Sequence, residues 1–333
     1  MNTVVKRQFE LGDTGETGGP AIVALGGGHG LFASLQALRH VSDKLTAVVT
    51  VADDGGSSGR LRGELGVLPP GDLRMALSAL CDDGTWGRTW RDVLQHRFNS
   101  SGELNGHAVG NLLIVALWQL HDDPIAGLEL VGRLLGARGR VLPMASVPLE
   151  IEADVTTVDA PDELTTVRGQ SKVAVAPGRV AEVRLVPHDP PASPEAVAAI
   201  EEADWVVLGP GSWFTSVLVH LLVPELAAAL ENTKARRCIT MNLSNRDAET
   251  TGFTASDHLA VIRQHAPNMR IDAVLADPVS VEDVDALRAE SEKLGARLLL
   301  RQVRRSDTST QHDPLRLAAA YRDVFDDVKG DVT

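Results

Sequence analysis

The chain has 333 residues, and its 45 acidic residues outnumber its 32 basic ones, which gives a formal net charge of −13 at pH 7. A broad basic surface for nucleic acid or for an anionic membrane is therefore not expected. The two cysteines, Cys81 and Cys238, lie far apart in sequence, so we expect neither a disulfide framework nor a cysteine zinc site.

The leader and the apolar stretches predict a protein that does not enter a membrane. Residues 1–19 are polar and glycine-rich, which predicts a disordered leader and no secretory signal. The apolar stretch 217–230 contains His, Pro and Glu and is shorter than the roughly 20 residues that span a bilayer. We therefore expect a cytoplasmic protein with a single α/β domain over residues 20–328.

The first predicted unit is a strand, a glycine-rich turn and a helix. Residues 20–25 are apolar without alternation, as in a strand buried on both faces of a parallel sheet. Gly26, Gly27, Gly28 and Gly30 then let the backbone approach a ligand closely, and the following helix would direct its first N–H groups at a phosphate. Alternatively, these glycines serve only the geometry of a tight turn and bind no ligand. The spacing fits neither the dinucleotide fingerprint nor a Walker P-loop, which disfavours a nicotinamide oxidoreductase.

The second predicted unit ends in two acids and a polar segment. A strand over residues 45–51 leads to Asp53 and Asp54, where a Rossmann-like fold places an acid on ribose hydroxyls, although Asp is also an ordinary turn residue. Residues 55–60 combine two hydroxyls, accessible backbone N–H groups and Arg60. We predict a loop here that forms an anion-binding nest, with arginine on a phosphate or carboxylate.

Two helices are predicted next. Asp72 suits the N-cap of a helix over residues 73–80. Alternatively, the N-terminus of this helix, with Asp72 at its start and Arg74 in its first turn, faces the same ligand. Residues 85–98 predict an amphipathic helix. Its inward side chains are predicted to be Trp86, Trp90, Val93 and Leu94.

His107 and Asn111 begin an apolar run that predicts a buried helix. They are four residues apart and would share one helical face at its start. A capping or core role and a role at the ligand site both remain open. His258 and His265 also share a helical face, but no third ligand at metal spacing accompanies them, which favours packing over metal binding.

The middle of the chain changes character. Residues 140–186 hold alternating segments, including 147–155, 173–176 and 180–186, which predict a β-rich insertion instead of another βαβ unit. The insertion would cover the ligand or form an oligomer contact, and the pattern does not decide between these roles.

The second half returns to alternating strands and helices. A buried strand over residues 205–208 is followed by Gly209, Gly211 and Ser212, and a strand over residues 237–241 is followed by Asn242. Since ligands of open α/β sheets lie at the carboxyl ends of strands, the glycine turns of both halves are expected to meet there. The predicted fold is Rossmann-like, with a doubly wound, mostly parallel sheet in three α/β/α layers and a β-rich insertion.

Five motifs run through the chain in the order LGGGHGL, VTVADDGGSSGRLR, LPPGDLR, GHAVGNLL and LGPGS. They resemble the YvcK-type family of gluconeogenesis factors, bacterial cytoplasmic proteins that bind UDP-N-acetylglucosamine. The resemblance runs from about Ile22 to Leu317, within the superfamily that also holds the 2-phospho-lactate transferases, or CofD proteins. The family usually has Thr at the position of His29 and often has Arg at that of Gln311 and an aromatic residue at that of Ala273.

The resemblance and the motifs together give a set of candidate ligand-binding residues and no catalytic residue. The candidates are Gly26, Gly27, Gly28, His29, Gly30, Asp53, Asp54, Gly55, Gly56, Ser57, Ser58, Arg60, Asp72, Arg74, His107, Asn111, Gly209, Gly211, Ser212 and Asn242. The function that the resemblance implies is regulatory: the protein would bind the nucleotide sugar and link carbon metabolism to cell-wall synthesis and cell shape through an unidentified protein partner. It would need no cofactor, and a homo-oligomer stays open.

The alternative is a transferase that acts on a nucleotide-diphosphate-activated substrate, as in the related 2-phospho-lactate transferases. There Asp53 and Asp54 would hold Mg²⁺ against the diphosphate while a substrate hydroxyl attacks phosphorus. Turnover of the bound nucleotide distinguishes the two functions.

Overall fold

The computed structural model describes residues 18–121, 123–157, 160–176, 178–244, 249–306 and 308–327. The leader predicted for residues 1–19 lies outside them, apart from its last two glycines. Among the described residues no single helix is long and apolar enough to cross a membrane. One bent pair of helical segments, Trp213–Leu222 with Pro224–Asn232, is long and apolar enough, judged by length and composition alone.

Ten strands form two sheets within the described residues. They are β1 (Ile22–Gly26), β2 (Leu45–Val49), β3 (Arg140–Pro143), β4 (Glu150–Thr157), β5 (Ala160–Arg168), β6 (Arg179–Val186), β7 (Trp205–Leu208), β8 (Arg236–Thr240), β9 (Ala273–Ala276) and β10 (Arg297–Leu300). Seven of them make a parallel sheet in the order β10-β9-β8-β7-β1-β2-β3. This order confirms the predicted doubly wound, mostly parallel fold.

The strand order reverses between β1 and β7. The chain moves outward from β1 to β3 and later returns to place β7 against the other edge of β1, with Ile22 opposite Trp205 and Leu25 opposite Leu208. All residues of these two strands are buried, because helices cover both faces of the sheet. The reversal leaves a crevice at the carboxyl ends of β1 and β7, which is where open α/β sheets bind ligands.

Twelve α-helices connect and cover the strands in the described part of the chain. They are α1 (Gly28–Leu38), α2 (Gly56–Leu65), α3 (Pro70–Ala79), α4 (Thr85–Gln95), α5 (Val109–His121), α6 (Pro124–Leu135), α7 (Gln170–Val173), α8 (Pro194–Glu202), α9 (Pro224–Asn232), α10 (Ala255–His265), α11 (Val284–Lys293) and α12 (Pro314–Asp327). A π-helical turn, Trp213–Val217, follows β7.

Two local predictions around the second unit are wrong. The segment predicted as a polar loop is α2, which begins after Gly55 in an extended conformation and ends at Gly66 with φ 66°. It forms because Ser57, Ser58 and Leu61 are buried, so tertiary packing outweighs the low helix propensity of glycine and serine. Asp72 is also not an N-cap, because α3 begins earlier, with a proline at its first position, and Asp72 lies in its first turn.

The inward face predicted for the helix α4 is partly wrong. Leu94 is buried and Trp90 is half-buried, but Trp86 is 61% exposed and Val93 lies at the surface. The indole N–H of Trp86 donates a hydrogen bond to the carbonyl oxygen of Leu134, so the ring lies over the end of α6 instead of entering the core. The reason is a narrow buried face, which leaves room only for Gly87 and Leu94.

The predicted β-rich insertion is a three-stranded antiparallel sheet in the order β5-β4-β6. It begins later than predicted, because β3 pairs with β2 at the edge of the main sheet. The segment 173–176 is not a strand: Val173 ends α7 and turns follow it. Alternate residues of β4, namely Ile151, Ala153 and Val155, are buried in the core, so the insertion packs on the main domain through one face.

Candidate functional site

A cleft of about 900 Å³ lies at the carboxyl edge of the parallel sheet, above the reversal of strand order. Its walls come from the turns after β1, β2, β7 and β8, from the loop before α12, and from α7 of the insertion. Nine predicted residues line it: Gly27, Gly28, His29, Gly30, Asp53, Asp72, Gly211, Ser212 and Asn242. Residues from both halves of the chain therefore meet, because parallel strands end at one edge.

The first turn of α1 is held against the turn after β7. A Cβ atom added to Gly30 would lie 2.1 Å from the carbonyl oxygen of Pro210 and 2.6 Å from the Cα atom of Gly211. Gly27 at the N-cap position of α1 has no side chain to cap the helix, and the carboxyl group of Asp72 is hydrogen-bonded to the backbone of Gly28 in the first turn. The backbone N–H groups of this helix terminus are therefore arranged as an anion site, and glycine is required for this close approach.

Asn242 secures the other side of this contact. Its side-chain oxygen accepts a hydrogen bond from the backbone N–H of Gly211 at 2.9 Å, and its amide nitrogen donates to the carbonyl oxygen of Gly211 at 2.9 Å. This paired bond fixes the turn after β7. The carboxamide of Asn242 is thus engaged with the protein, although the residue lines the cleft.

Asp53 and Asp72 place two carboxyl groups at the cleft. Asp53 accepts a hydrogen bond from the backbone N–H of Gly55 at 2.9 Å, and burial raises its pKa. Burial, and secondarily the negative charge of Asp53, raise the pKa of Asp72 to about 7, although a hydrogen bond to the backbone of Gly28 and the nearby charge of Arg74 act in the opposite direction. Asp72 is therefore poised to exchange a proton near neutral pH.

The acid pair does not complete a metal site by itself. Within the residues that the structure describes, no group of three or more His, Cys, Asp and Glu side chains could hold a metal ion. His258 packs against Trp213 and Phe253, with ring centroids 5.0 and 5.5 Å apart, as expected for a packing residue.

Four predicted residues meet in a buried network beneath α2 and do not line the cleft. Ser57 Oγ lies 3.0 Å from His107 Nδ1 and accepts a hydrogen bond from Asn111 Nδ2 at 3.0 Å. Asn111 Oδ1 accepts from Arg74 Nε at 2.8 Å, and Arg74 also donates to Gln95. Since burial lowers the pKa of His107, its neutral ring can accept a hydrogen bond from the Ser57 hydroxyl. The network joins α2, α3 and α5.

Removing the hydroxyl at the centre of this network is expected to destabilise the protein. Ser57 is 3% exposed, so Ser57→Ala leaves buried polar groups of His107 and Asn111 without their partner. Such loss costs about 1–3 kcal/mol, and we expect a decrease of that size in the free energy of unfolding measured with urea. Gly63→Ala, at an exposed position on the same helix, is the control. An unchanged midpoint for Ser57→Ala would contradict the structural role.

The remaining predicted residues are not part of the cleft lining. Arg60 donates hydrogen bonds to the carbonyl oxygens of Glu103 at 3.0 Å and Asn105 at 2.7 Å, on the exposed surface. Ser58 accepts a hydrogen bond from the backbone N–H of Gly71 at 2.7 Å, and Asp54 accepts one from Ser171 at 2.8 Å. The cleft lining also lacks Gly26, Gly55, Gly56 and Gly209, which shape the turns beside it.

Sequence reasoning left the insertion open between covering the ligand and forming an oligomer contact, and it missed the wall formed by the loop before α12. The missed lining residues are Phe32, Ala33, Gln36, Gln170, Ser171, Ala174, Pro210, Thr215, Ser216, Leu243, Ser244, Arg305, Thr310, Gln311 and His312. The available signal was the position of residues 301–313 directly after a parallel strand, since such segments reach the ligand edge of the sheet.

A buried ion pair holds that loop. Arg304 Nε donates to Asp277 Oδ1 at 3.0 Å, and Asp277 also accepts backbone N–H groups at Val303 and Arg304. Burial lowers the pKa of His312 to about 4, so its ring is neutral at pH 7. Among the described residues, His312 Nε2 and Thr215 Oγ1 are buried without a hydrogen-bond partner, and both side chains belong to the cleft wall.

Comparison with known proteins places this architecture in a family. The family model described as 2-phospho-L-lactate transferase CofD matches residues 22–313. A Mycobacterium tuberculosis protein called "Putative gluconeogenesis factor" is 53% identical over 91% of this chain and 90% of its own length. The "Gluconeogenesis factor" of Bacillus subtilis is 37% identical over 79% of this chain and 80% of its own.

A solved structure agrees with the sequence relatives. The crystal structure of a UPF0052 family member from Bacillus halodurans aligns with a TM-score of 0.79 at 33% identity, and covers 92% of this chain and 99% of its own. The chain therefore belongs to the CofD family, together with the proteins named gluconeogenesis factors.

Proposed function

We propose that the protein binds a nucleotide-diphosphate sugar, with UDP-N-acetylglucosamine as the first candidate, and acts as a regulator that leaves this ligand chemically unchanged. The observation that carries the proposal is the cleft at the reversal of strand order, where the N-terminus of α1 meets the turn after β7. Its volume of about 900 Å³ falls in the roughly 300–1,000 Å³ range of small-molecule sites.

The parts of the cleft suit different parts of such a ligand. The backbone N–H groups of His29 and Gly30 and the hydroxyl of Ser212 suit a diphosphate. The carboxamide side chains of Gln36 and Gln311, which also line the cleft, suit hydroxyl or amide groups of the ligand. Linking carbon metabolism to cell-wall synthesis would then require a protein partner that recognises the ligand-bound form of the protein.

Thermal unfolding with UDP-N-acetylglucosamine, UDP-glucose, GDP and NAD, each with and without Mg²⁺, tests the proposal. A ligand at about 100 times its dissociation constant adds roughly 2.7 kcal/mol of stability, which is visible as a shifted midpoint. We expect a shift with UDP-N-acetylglucosamine irrespective of metal, and recovery of the intact ligand after hours. No shift with that nucleotide sugar would reject the proposed ligand.

Arg305 supplies a guanidinium at the rim of this cleft. The family often carries arginine at the position of Gln311. In this chain the backbone N–H of Arg305 donates to the carbonyl oxygen of Gln311 at 3.0 Å, so the positive charge of Arg305 lies opposite that position in the same loop. We expect Arg305→Ala to weaken nucleotide-sugar binding by about tenfold, because charge-assisted hydrogen bonds to the ligand are lost. The loss of affinity should be smaller at high salt, since salt screens the charge.

The matched control for this charge removal is Arg60→Ala. Arg60 is exposed and engaged with two carbonyl groups outside the cleft lining, so its loss should leave the dissociation constant unchanged. Calorimetric titration of both variants measures the difference. Equal weakening in the two variants would show that net charge, and not the cleft, determines affinity.

The second candidate function is a transferase, and the pair of carboxyl groups at the cleft favours it. In that case Asp53 and Asp72, and not Asp54, would hold Mg²⁺ together with oxygens of a nucleotide diphosphate. The ion would neutralise the charge that develops on the phosphates. A stabilising shift with GDP only when Mg²⁺ is present, followed by consumption of an activated substrate, would favour this function.

A further inference from the structure

The β-rich insertion reaches the cleft through one corner. Residues 169–174, here called the α7 corner, connect β5 to β6, and their Gln170, Ser171 and Ala174 line the cleft opposite the glycine turn of α1. The amide nitrogen of Gln170 also lies 3.4 Å from the carbonyl oxygen of Thr215, in the turn after β7. The corner therefore forms a wall between the two halves of the main sheet.

Asp54 holds the α7 corner in place. Its Oδ1 accepts a hydrogen bond from the backbone N–H of Ser171 at 2.8 Å. Its Oδ2 lies against Gly169, where an added Cβ atom would be 2.2 Å away, and Gly169 has φ 103°. Both the close approach and the backbone conformation thus require glycine at this position.

The adjacent residues Asp53 and Asp54 make different contacts. Asp53 lines the cleft, whereas Asp54 is engaged by the insertion, and both lie between β2 and α2. Arg62 on α2 makes a second contact with the insertion. Its guanidinium donates a hydrogen bond at 2.6 Å to the carbonyl oxygen of Leu149, one residue before β4. The position of the insertion is therefore set from the same segment that contributes an acid to the site.

We propose that Asp54 is a positioning residue that holds the α7 corner so that Gln170 and Ser171 contact the sugar portion of the bound ligand. This inference rests on the proposed function. A carboxamide and a hydroxyl can each donate and accept hydrogen bonds, so this wall suits a neutral, hydroxyl-rich group better than another phosphate. The α1 turn would then bind the diphosphate and the insertion would select the group attached to it.

The test compares Asp54→Ala, Asp54→Asn and, as a charge-matched control on the insertion, Glu182→Ala. Glu182 is exposed on β6 and pairs with Arg184 away from the cleft. Calorimetry measures affinity for UDP and for UDP-N-acetylglucosamine, and hydrogen exchange follows peptides over residues 168–176. The exchange arm requires no ligand.

We expect Asp54→Ala to speed exchange in the α7 corner and to weaken UDP-N-acetylglucosamine binding by about tenfold, with UDP affinity changed less than about twofold. Asp54→Asn keeps an acceptor oxygen and should restore most of both properties, and Glu182→Ala should match the wild-type protein. Unchanged exchange in Asp54→Ala, or equal losses for UDP and UDP-N-acetylglucosamine, would overturn the inference. If the wild-type chain binds neither nucleotide, the proposed function fails, and the exchange arm still decides whether Asp54 holds the corner.

Discussion

Replacing Gly30 by alanine is expected to weaken ligand binding and to lower the free energy of unfolding by about 1–3 kcal/mol, the usual cost of overpacking. The added methyl carbon would lie 2.1 Å from the carbonyl oxygen of Pro210 and 2.6 Å from the Cα atom of Gly211. Because both of these atoms belong to the backbone, no side-chain rotation can relieve the contact.

The consequence for binding follows from the same geometry. Carbon and oxygen atoms need a separation of about 3.5 Å, so the turns after β1 and β7 would have to move apart by roughly 1 Å or more. These turns form the proposed diphosphate site, and Asn242 resists the movement by holding Gly211 through two hydrogen bonds. We expect nucleotide-sugar affinity to fall by more than about tenfold in calorimetric titration.

Gly63→Ala is the matched control for Gly30→Ala. Gly63 is exposed on α2, an added Cβ atom there meets no atom within 4 Å, and its φ is not positive. Alanine is favoured over glycine in a helix by about 1 kcal/mol, so this variant should be as stable as the wild-type protein or more stable, with unchanged affinity. Wild-type affinity in Gly30→Ala would show that the contact between the two turns is not needed for binding.

Replacing Asp72 by asparagine is expected to remove a pH dependence of stability. The folded pKa of Asp72 is raised from 3.8 to about 7, so between these values the folded chain retains a proton that the unfolded chain has lost. Stability therefore falls as pH rises through this window, and the loss is complete above it. The carboxamide of the variant cannot ionise. We expect Asp72→Asn to equal the wild-type protein near pH 4 and to exceed it by about 1–2 kcal/mol at pH 8, a value reduced by solvent in the cleft.

The same substitution separates the two candidate functions. A diphosphate is repelled by ionised Asp72, so the regulator should bind its nucleotide sugar more tightly at pH 6 than at pH 8, and Asp72→Asn should bind tightly at both. In a transferase that uses Asp72 to hold Mg²⁺, Asp72→Asn should instead lose metal-dependent binding of GDP. Titrations at both pH values, with and without Mg²⁺, distinguish these outcomes. Wild-type affinities independent of pH would contradict the assigned proximity of Asp72 to the diphosphate.

The chain shows how far strand-end motifs predict a site. The turns after β1 and β7 were recognisable because apolar runs buried on both faces end in glycine, and the switch-point rule then places the turns together. The polar motif after β2 was harder, because Asp53, Asp54 and Ser57 are consecutive or nearly so, yet they face the cleft, the insertion and a buried network, respectively. Asp53 and Asp54 lie in the segment before α2 and Ser57 lies in the first turn of α2, so membership of one motif does not give a common direction.

The sequence by itself determined the doubly wound sheet, the insertion and the glycine turns, because hydrophobic periodicity and backbone freedom are local properties. Only the tertiary structure decided that Arg60 lies outside the cleft lining while Arg305 and Gln170 form part of it. It also decided that α2 is a helix and that Asp72 carries a raised pKa. These features depend on burial and on neighbours distant in sequence, which no local pattern contains.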